Sequence, residues 1–561
     1  MTKDKVNVLV GGGAGQGLVT VGYILTKSCA RAGFSIVVTQ DYMSRIRGGH
    51  NTYAIRISAD GVAAPQEAVD LLIALNNETV NLHCSEVLPG GVIIASSEFP
   101  EGKDPRVQRV PYKEIAPDRQ VNIVALGIAA EMLGLEEDLV ARTVESHFGK
   151  KHKDVEANRT ALAKAFTWGK QHHVRSFQQP QRVVNVDKRI ALNGNEALAL
   201  GAIAAGLKFA AFYPMTPSTS ISLTLIQHAK QMGLVVEQAE DEIAAINMAL
   251  GASYAGVPSM VATSGGGFAL MVEGVSLAGM TETPIVIVVG QRPAPATGLP
   301  TRTEQSELEF ILHAGHGEFP RAIFAPATVE ECFHLARRAF ELAEKVQAPI
   351  FILTDQFLAD SYRAVAPFAV DGLKPVVPGA DADSVPKPYK RFAITDSGVS
   401  PRLLPGMSKN LVVVDSDEHT EDGHITEDLS IRKRMVEKRL RKVDILRGES
   451  IPPTCDGEEK PETLLVSWGS TKGSVEEAAA HLRSRGRSVA TMHFSQVWPL
   501  VSEKYLYRLQ NAGQVICIEG NATGQFGRVI RRETGFTIEK SVHRYDGLPI
   551  TPEYILREIK L

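Results

Sequence analysis

The sequence has little cysteine: Cys29, Cys84, Cys332, Cys455 and Cys517 are the five in 561 residues, and no two form a C-x-x-C pair. That spacing excludes a zinc knuckle or a ferredoxin-type cluster held by this chain alone. It reads as reduced, mostly buried thiols acting as small apolar side chains. Long apolar runs are missing as well. Stretches such as TPIVIVVG fall far short of the ~20 residues that span a bilayer. The opening MTKDKVNVLVGGG turns glycine-rich before a secretory apolar region can form. The expectation is a cytoplasmic protein with no membrane contact. Neither charge dominates: 60 Lys and Arg against 64 Asp and Glu leave a net charge of −4, which argues against a nucleic-acid partner. What is present, 44% hydrophobic and 22% charged residues, is ordinary for a globular protein. At roughly 150 residues per domain the length predicts three or four domains.

Short β-branched runs alternate with helical patterns along the chain. In 1–172, KVNVLVGG, FSIVVTQ, DLLIALN and GVIIASS read as buried strands and Leu18 to Ala32 as a helix. The polar stretch 173–188 reads as a linker. In 189–365, FAAFYP, MVATSGGG, PIVIVVGQR, AIFAP and APIFILTDQ are strand-like. A connecting segment, 366–460, is rich in Pro, Gly and Asp and ends in IRKRMVEKRLRKVD, which reads as a solvated helix face. Residues 461–561 return to alternation with TLLVSWGS, RSVATMHF and QVICIEG. This pattern predicts an α/β chain of several doubly wound domains. Their sheets should be mostly parallel, covered on both faces, with sites at the carboxyl edges.

Five segments carry candidate chemistry. GGGAGQG, Gly11 to Gly17, sits between a strand and a helix, where backbone N–H groups can approach an anion. The dinucleotide spacing fails, because Gln16 or Leu18 fills the third glycine position, although Asp41 stands at the distance of a ribose contact. A tight turn without a ligand is the alternative. RIRGGH offers Arg45 and Arg47 as a phosphate clamp, or is a turn. In YPMTPST, Pro214 and Pro217 restrict the loop around the hydroxyl of Thr216, and Ser218 or Thr219 suits a helix N-cap. Glu240, Asp241 and Glu242 precede a helical pattern; they suit the helix dipole, or one carboxylate could bond a cofactor ring nitrogen. TSGGG is followed by Arg292 at a strand end and Arg302 in a stiffened loop. Arginine at such a strand end suits a carboxylate, with a surface salt bridge as the alternative.

Together these residues resemble the 2-oxoacid:ferredoxin oxidoreductase family in its form with fused γ and α regions. GGGAGQG and RIRGGH look like the γ signature; YPMTPST, QAEDEIAA, TSGGG and ATGLPTRTEQSEL look like the α signatures. EHTEDGH and EGNATGQFG resemble later family segments. One departure is Gly266, where the family has proline in TSGPG. The resemblance implies a γ-like domain, a thiamine-enzyme pyrimidine-type domain and a transketolase C-terminal-like domain. It implies oxidative decarboxylation of a 2-oxoacid with coenzyme A to acyl-CoA, carbon dioxide and reduced ferredoxin, reversed in some members. The subgroup it points to uses 2-oxoglutarate. Glu240 would then activate the aminopyrimidine of thiamine diphosphate, in the region of Tyr213, Pro214, Thr216, Ser264 and Gly265. Thr216 and Arg292 would hold the substrate's oxo and carboxylate end, and Arg302 a second carboxylate. Gly13, Gly15, Gln16, Gly17, Arg45 and Arg47 would form the coenzyme A side.

The sequence has no Gly-Asp-Gly metal-diphosphate motif and no metal-ligand cluster. The resemblance therefore implies a β-type partner subunit carrying Mg2+, the diphosphate grip and a 4Fe–4S cluster, in a dimer of αβ heterodimers. Two other readings stay open: a pyruvate or branched-chain 2-oxoacid enzyme of the same family, and a non-catalytic coenzyme-A- or nucleotide-binding protein.

Overall fold

The structure, a computed structural model, describes residues 2–44, 49–100, 102–149, 152–172, 177–184 and 187–559. Arg45 and Arg47 lie outside the described residues. The chain forms two compact units. The first gathers Met1–Asn193, Asp360–Ala369 and Ile550–Leu561; the second is Gly194–Ala359 with Val370–Pro549.

In the first unit KVNVLVGGG forms the strand Lys5–Gly13. Val6, Val8 and Val10 point to one face and Leu9 to the other, as a pleated strand requires. It sits fourth in an eight-stranded sheet. On one side Val69–Ala74, Val87–Ser96 and Val107–Val110 run parallel to it. On the other side His50–Ser58, Ser35–Asp41, Arg363–Val365 and Ile190–Leu192 follow in antiparallel pairs. The mostly parallel sheet expected of this block is therefore half antiparallel. Ser35–Asp41 and His50–Ser58 are joined by 42–49, shorter than the dozen or so residues a parallel crossover needs. The helices Leu18–Arg31, Val121–Met132, Glu137–Phe148 and His152–Gln171 share one core with the Val6, Val8 and Val10 face. Coverage is thus uneven. The opposite face carries a smaller cluster of Leu9, Val69, Leu72, Val87 and Ile93, with Val80 from the short helix Asn77–His83.

The second unit holds a seven-stranded sheet. Its order is Val235–Gln238, Phe209–Phe212, Ser259–Thr263, Ile285–Gln291, Pro349–Asp355, Ala322–Phe324 and Gln496–Trp498, antiparallel only at the last pair. A five-stranded sheet is parallel from Val489–Phe494 through Thr463–Trp468 and Gln514–Glu519 to Lys540–His543, with Thr454–Asp456 antiparallel at its edge. One hydrophobic core joins the two sheets, with Ile287, Phe351, Val466, Trp468 and Phe494 in it. The helix Val329–Val346 shows why these segments coil: Thr328 caps it by accepting from the Glu331 N–H at 3.2 Å. Val329, Cys332, Phe333, Ala336, Ala339, Phe340 and Ala343 then recur at three- and four-residue steps on its buried face.

The charged run IRKRMVEKRLRKVD departs from the solvated face expected of it. In the helix Leu429–Gly448 the residues Met435, Lys438, Arg439 and Lys442 are buried. Lys438 Nζ reaches Glu282 Oε1 at 2.6 Å, and Lys442 pairs with the other carboxylate oxygen. Arg391 donates to the Glu282 carbonyl at 2.8 Å and to Gln347 Oε1 at 3.0 Å. Periodicity hid this, because an acid 156 residues away in sequence supplies the counter-charge. The surrounding cations hold the Glu282 carboxyl far below the usual carboxylate range against the opposing effect of burial. Removing one partner of such a group leaves charge buried and unpaired. Glu282→Ala should cost ~3–5 kcal/mol, read as a lowered denaturant midpoint of the full chain; a loss below ~1 kcal/mol would disprove the clamp.

Candidate functional site

Four adjacent parallel strands of the second unit bring four separate motifs to one carboxyl edge. Val235–Gln238 leads to Glu240–Glu242, Phe209–Phe212 to YPMTPST, Ser259–Thr263 to SGGG, and Ile285–Gln291 to Arg292. Ligands of open α/β sheets bind at such edges.

Arg292 and Thr216 meet there. Arg292 is 7% exposed, and its Nη1 donates to the Thr216 carbonyl at 2.7 Å. No ion pair to Arg292 occurs among the described residues. Tyr213 and Pro214 are exposed at the head of the same loop. Ser218 holds the N-cap position of Thr219–Met232, but its hydroxyl turns back to the Met215 carbonyl at 2.8 Å and caps nothing.

The three acids divide into three roles. Asp241 caps Glu242–Tyr254, accepting from the Ala244 N–H at 2.7 Å, as the helix-start reading expects. Glu240 is exposed. Glu242 is 3% exposed, its Oε1 is buried without a partner, and burial lifts its carboxyl above the usual range. Alternating exposure along a loop entering a helix is invisible in a run of three acids, so spacing alone could not single out Glu242.

Gly265, Gly266 and Gly267 open the helix Gly265–Met280. A Cβ on Gly267 would strike Thr263 and Glu242, and one on Gly265 would fall on the Glu307 carboxyl. Ser264 Oγ is buried without a partner at the same turn. Gly266 differs: only the Ala296 carbonyl, at 3.7 Å, approaches a Cβ there. The second residue of a helix tolerates proline, so the departure from TSGPG leaves the turn intact.

Arg302 lies half-buried beyond Pro293, with its N–H donating to Leu299 and its stem 3.1 Å from a Cβ on Gly547. The stretch after it, TEQSEL, holds the groups that sequence reasoning passed over. Gln291 Oε1 accepts from the Glu307 N–H at 3.1 Å. Glu307 is 6% exposed with Oε2 buried and unpartnered, and burial pushes its carboxyl up to about 8. Burial also lowers the Arg292 guanidinium, which Glu307 partly restores. Two acids three residues apart in a motif already bearing Arg302 were the available signal.

The glycine loop of the first unit is described by itself. Gln16 folds over it: its Oε1 accepts from the Gly13 N–H at 2.7 Å and from Asn76 Nδ2 at 3.1 Å. Gly15 is exposed with open space around it, and Gly17 takes a left-handed φ of 80° at the N-cap of Leu18–Arg31. Among the described residues no group of three or more His, Cys, Asp and Glu could hold a metal ion, and no helix is long and apolar enough to cross a membrane.

The carboxyl edge of this α/β sheet thus gathers a buried arginine and buried acids where ligands of open α/β sheets bind. Comparison with known proteins gives the chain its family. Residues 200–438 match the model described as pyruvate flavodoxin/ferredoxin oxidoreductase, thiamine diphosphate-binding, and residues 7–168 match pyruvate ferredoxin/flavodoxin oxidoreductase. The chain is 31% identical to a 2-oxoacid:ferredoxin oxidoreductase subunit alpha of a Sulfolobus species, over 97% of this chain and 95% of that protein. It is 32% identical to the 2-oxoglutarate synthase subunit KorA of Methanothermobacter thermautotrophicus, over 66% of this chain and 97% of that one. A solved 2-oxoglutarate:ferredoxin oxidoreductase from Magnetococcus marinus, with 2-oxoglutarate, coenzyme A and succinyl-CoA bound, superposes with a TM-score of 0.93 at 31% identity, covering 100% of this chain and 99% of that one. The chain belongs to the 2-oxoacid:ferredoxin oxidoreductase alpha-subunit family, with a thiamine-diphosphate-binding domain, and the family is one of oxidoreductase complexes.

The glycine turn yields a direct test. Gly265→Ala overpacks the turn and should cost ~1–3 kcal/mol, whereas Gly266→Pro should leave the thermal unfolding midpoint within ~0.5 kcal/mol of the parent. Equal losses in both would show that the turn is not shaped by the Glu307 carboxyl.

Proposed function

We propose that this chain is the alpha subunit of a 2-oxoglutarate:ferredoxin oxidoreductase that makes succinyl-CoA, carbon dioxide and reduced ferredoxin from 2-oxoglutarate and coenzyme A. The observation that carries the reading is Arg292. It is buried, anchored to the Thr216 carbonyl, and joined to no carboxylate among the described residues. A buried guanidinium needs an anion, and every 2-oxoacid brings one beside its reacting carbonyl. The Magnetococcus marinus enzyme binding 2-oxoglutarate and the KorA relative favour the dicarboxylic substrate. Arg302 is the candidate for its second carboxylate.

The residues present fit thiamine diphosphate: Glu242 Oε1 and Ser264 Oγ are buried polar atoms lacking partners, beside a turn that glycines keep open. When bound, that cofactor supplies a thiazolium carbanion as the nucleophile for the 2-oxo carbon. Glu242, rather than the exposed Glu240, would hold the aminopyrimidine ring through a hydrogen bond. Tyr213, Pro214, Thr216 and Gly265 would border it. Arg292 and Thr216 orient the 2-oxoacid, the bidentate fork fixing its carboxylate plane. We assign the coenzyme A side to Gly13, Gly15, Gln16 and Gly17, where the folded-over Gln16 carboxamide would have to yield Gly13 N–H to an anion. A β-type partner subunit would supply Mg2+, the diphosphate grip and the 4Fe–4S cluster, in a dimer of αβ heterodimers. The scattered cysteines and the missing Gly-Asp-Gly motif support that division.

Coenzyme-A-dependent viologen reduction by the complete complex tests the reading. Glu242→Gln should lower turnover by about 10²–10⁴-fold, with Glu240→Gln near the parent; the reverse ranking would return the cofactor role to Glu240.

Substrate variants test the arginines separately. Arg292→Ala should lower kcat/KM roughly 10- to 150-fold, and Arg292→Lys should also lose, because the planar fork is gone. Arg302→Ala should impair 2-oxoglutarate but spare pyruvate. Equal losses on both acids at Arg302 would leave 2-oxoglutarate without its distal contact.

A further inference from the structure

At the sheet edge Glu307 keeps a buried carboxyl oxygen without a hydrogen-bond partner. Among the described residues Glu307 carries no ion pair, and no N–H or O–H donates to its Oε2. Its Oε1 side is closed by the Gly265 backbone, which can come so near only because position 265 has no Cβ. Its backbone is held by Gln291, the residue immediately before Arg292. An ionised carboxylate placed there would keep a desolvated Oε2 with no donor to replace its water, a cost that a proton reduces.

We infer that Glu307 is a positioning residue for the 2-oxoacid: set against Gly265 as an uncharged carboxyl, it keeps the Arg292 guanidinium for the substrate carboxylate instead of tying it up in an internal ion pair. The inference rests on the functional reading above and adds to it a residue which that reading does not use. The charges facing Glu307 act in opposite senses. Arg292 favours ionisation and Glu304 opposes it, and burial outweighs both, setting the carboxyl at about 8. Glu304 is itself pushed up by burial. The sign follows: below that value Glu307 is neutral and Arg292 meets the substrate. Above it a second carboxylate competes for Arg292 and repels the incoming one.

The experiment pairs KM for 2-oxoglutarate in the complete complex, from pH 6.5 to 9.5, with an infrared titration of the full chain. In the parent, KM should rise above about pH 8 by up to tenfold per pH unit, while kcat changes less. Glu307→Gln, uncharged at every pH, should bind near normally at pH 7 and abolish that rise. The carbonyl band of a protonated carboxyl should be present at pH 7, disappear near pH 8, and be missing in Glu307→Gln. Should Glu307→Gln fail to fold, Glu304→Gln serves: loss of the facing charge should move the rise in KM to lower pH. A KM profile that Glu307→Gln leaves unchanged, an unmoved profile in Glu304→Gln, or a Glu307 band that titrates in the ordinary carboxylate range overturns the inference. A parent complex that turns over no 2-oxoacid would refute the functional reading instead, and the infrared titration would still decide the state of Glu307.

Discussion

Gln305 joins the loop that carries the buried acids to the sheet that supports it. Its N–H donates to the Gly520 carbonyl at 2.6 Å, and its side chain accepts from the Gly520 N–H at 2.9 Å and donates to the Trp468 carbonyl at 3.0 Å. Its own carbonyl accepts from Asn521 Nδ2 at 3.1 Å. Gln525 adds bonds to the Ser306 carbonyl at 2.6 Å and the Glu309 N–H at 3.0 Å. With so many buried bonds sharing one segment, slippage by a single residue would leave several polar groups unpaired at once. That constraint keeps Glu304, Glu307 and Arg302 in register with the strand that leads into Arg292. It also explains EGNATGQFG, which braces this loop from the five-stranded sheet.

Buried glutamates of the second unit show how surroundings decide a carboxyl's state. Glu282 is enclosed by Lys438, Lys442 and Arg391 and stays charged. Glu519, fully buried, accepts from the Phe526 N–H at 2.8 Å and the Gly527 N–H at 3.1 Å, so the start of Gln525–Thr534 satisfies it. Glu242 and Glu307 each keep a buried oxygen that nothing satisfies, and both are pushed up by burial. The first two hold the fold together. The second two stand where four strands end, and unmet polarity there is what a ligand can satisfy.

The alternation of strands and helices, and with it the α/β class, is written in the residue order, because buried strands must be apolar and β-branched and turns must carry glycine. That order also puts YPMTPST, TSGGG and Arg292 after strands, which in a parallel sheet sends them to one edge. Tertiary structure decided what contacts between distant segments decide. The pairing of Ser35–Asp41 with His50–Ser58 made half of the first sheet antiparallel. Glu282 drew Lys438 and Lys442 out of solvent from a helix whose charges alone read as a wet face. Burial separated Glu242 from Glu240, two residues apart and chemically identical. Composition and spacing record which groups a chain possesses. A carboxyl's charge depends on the water and partners left to it, and only the packed fold sets those.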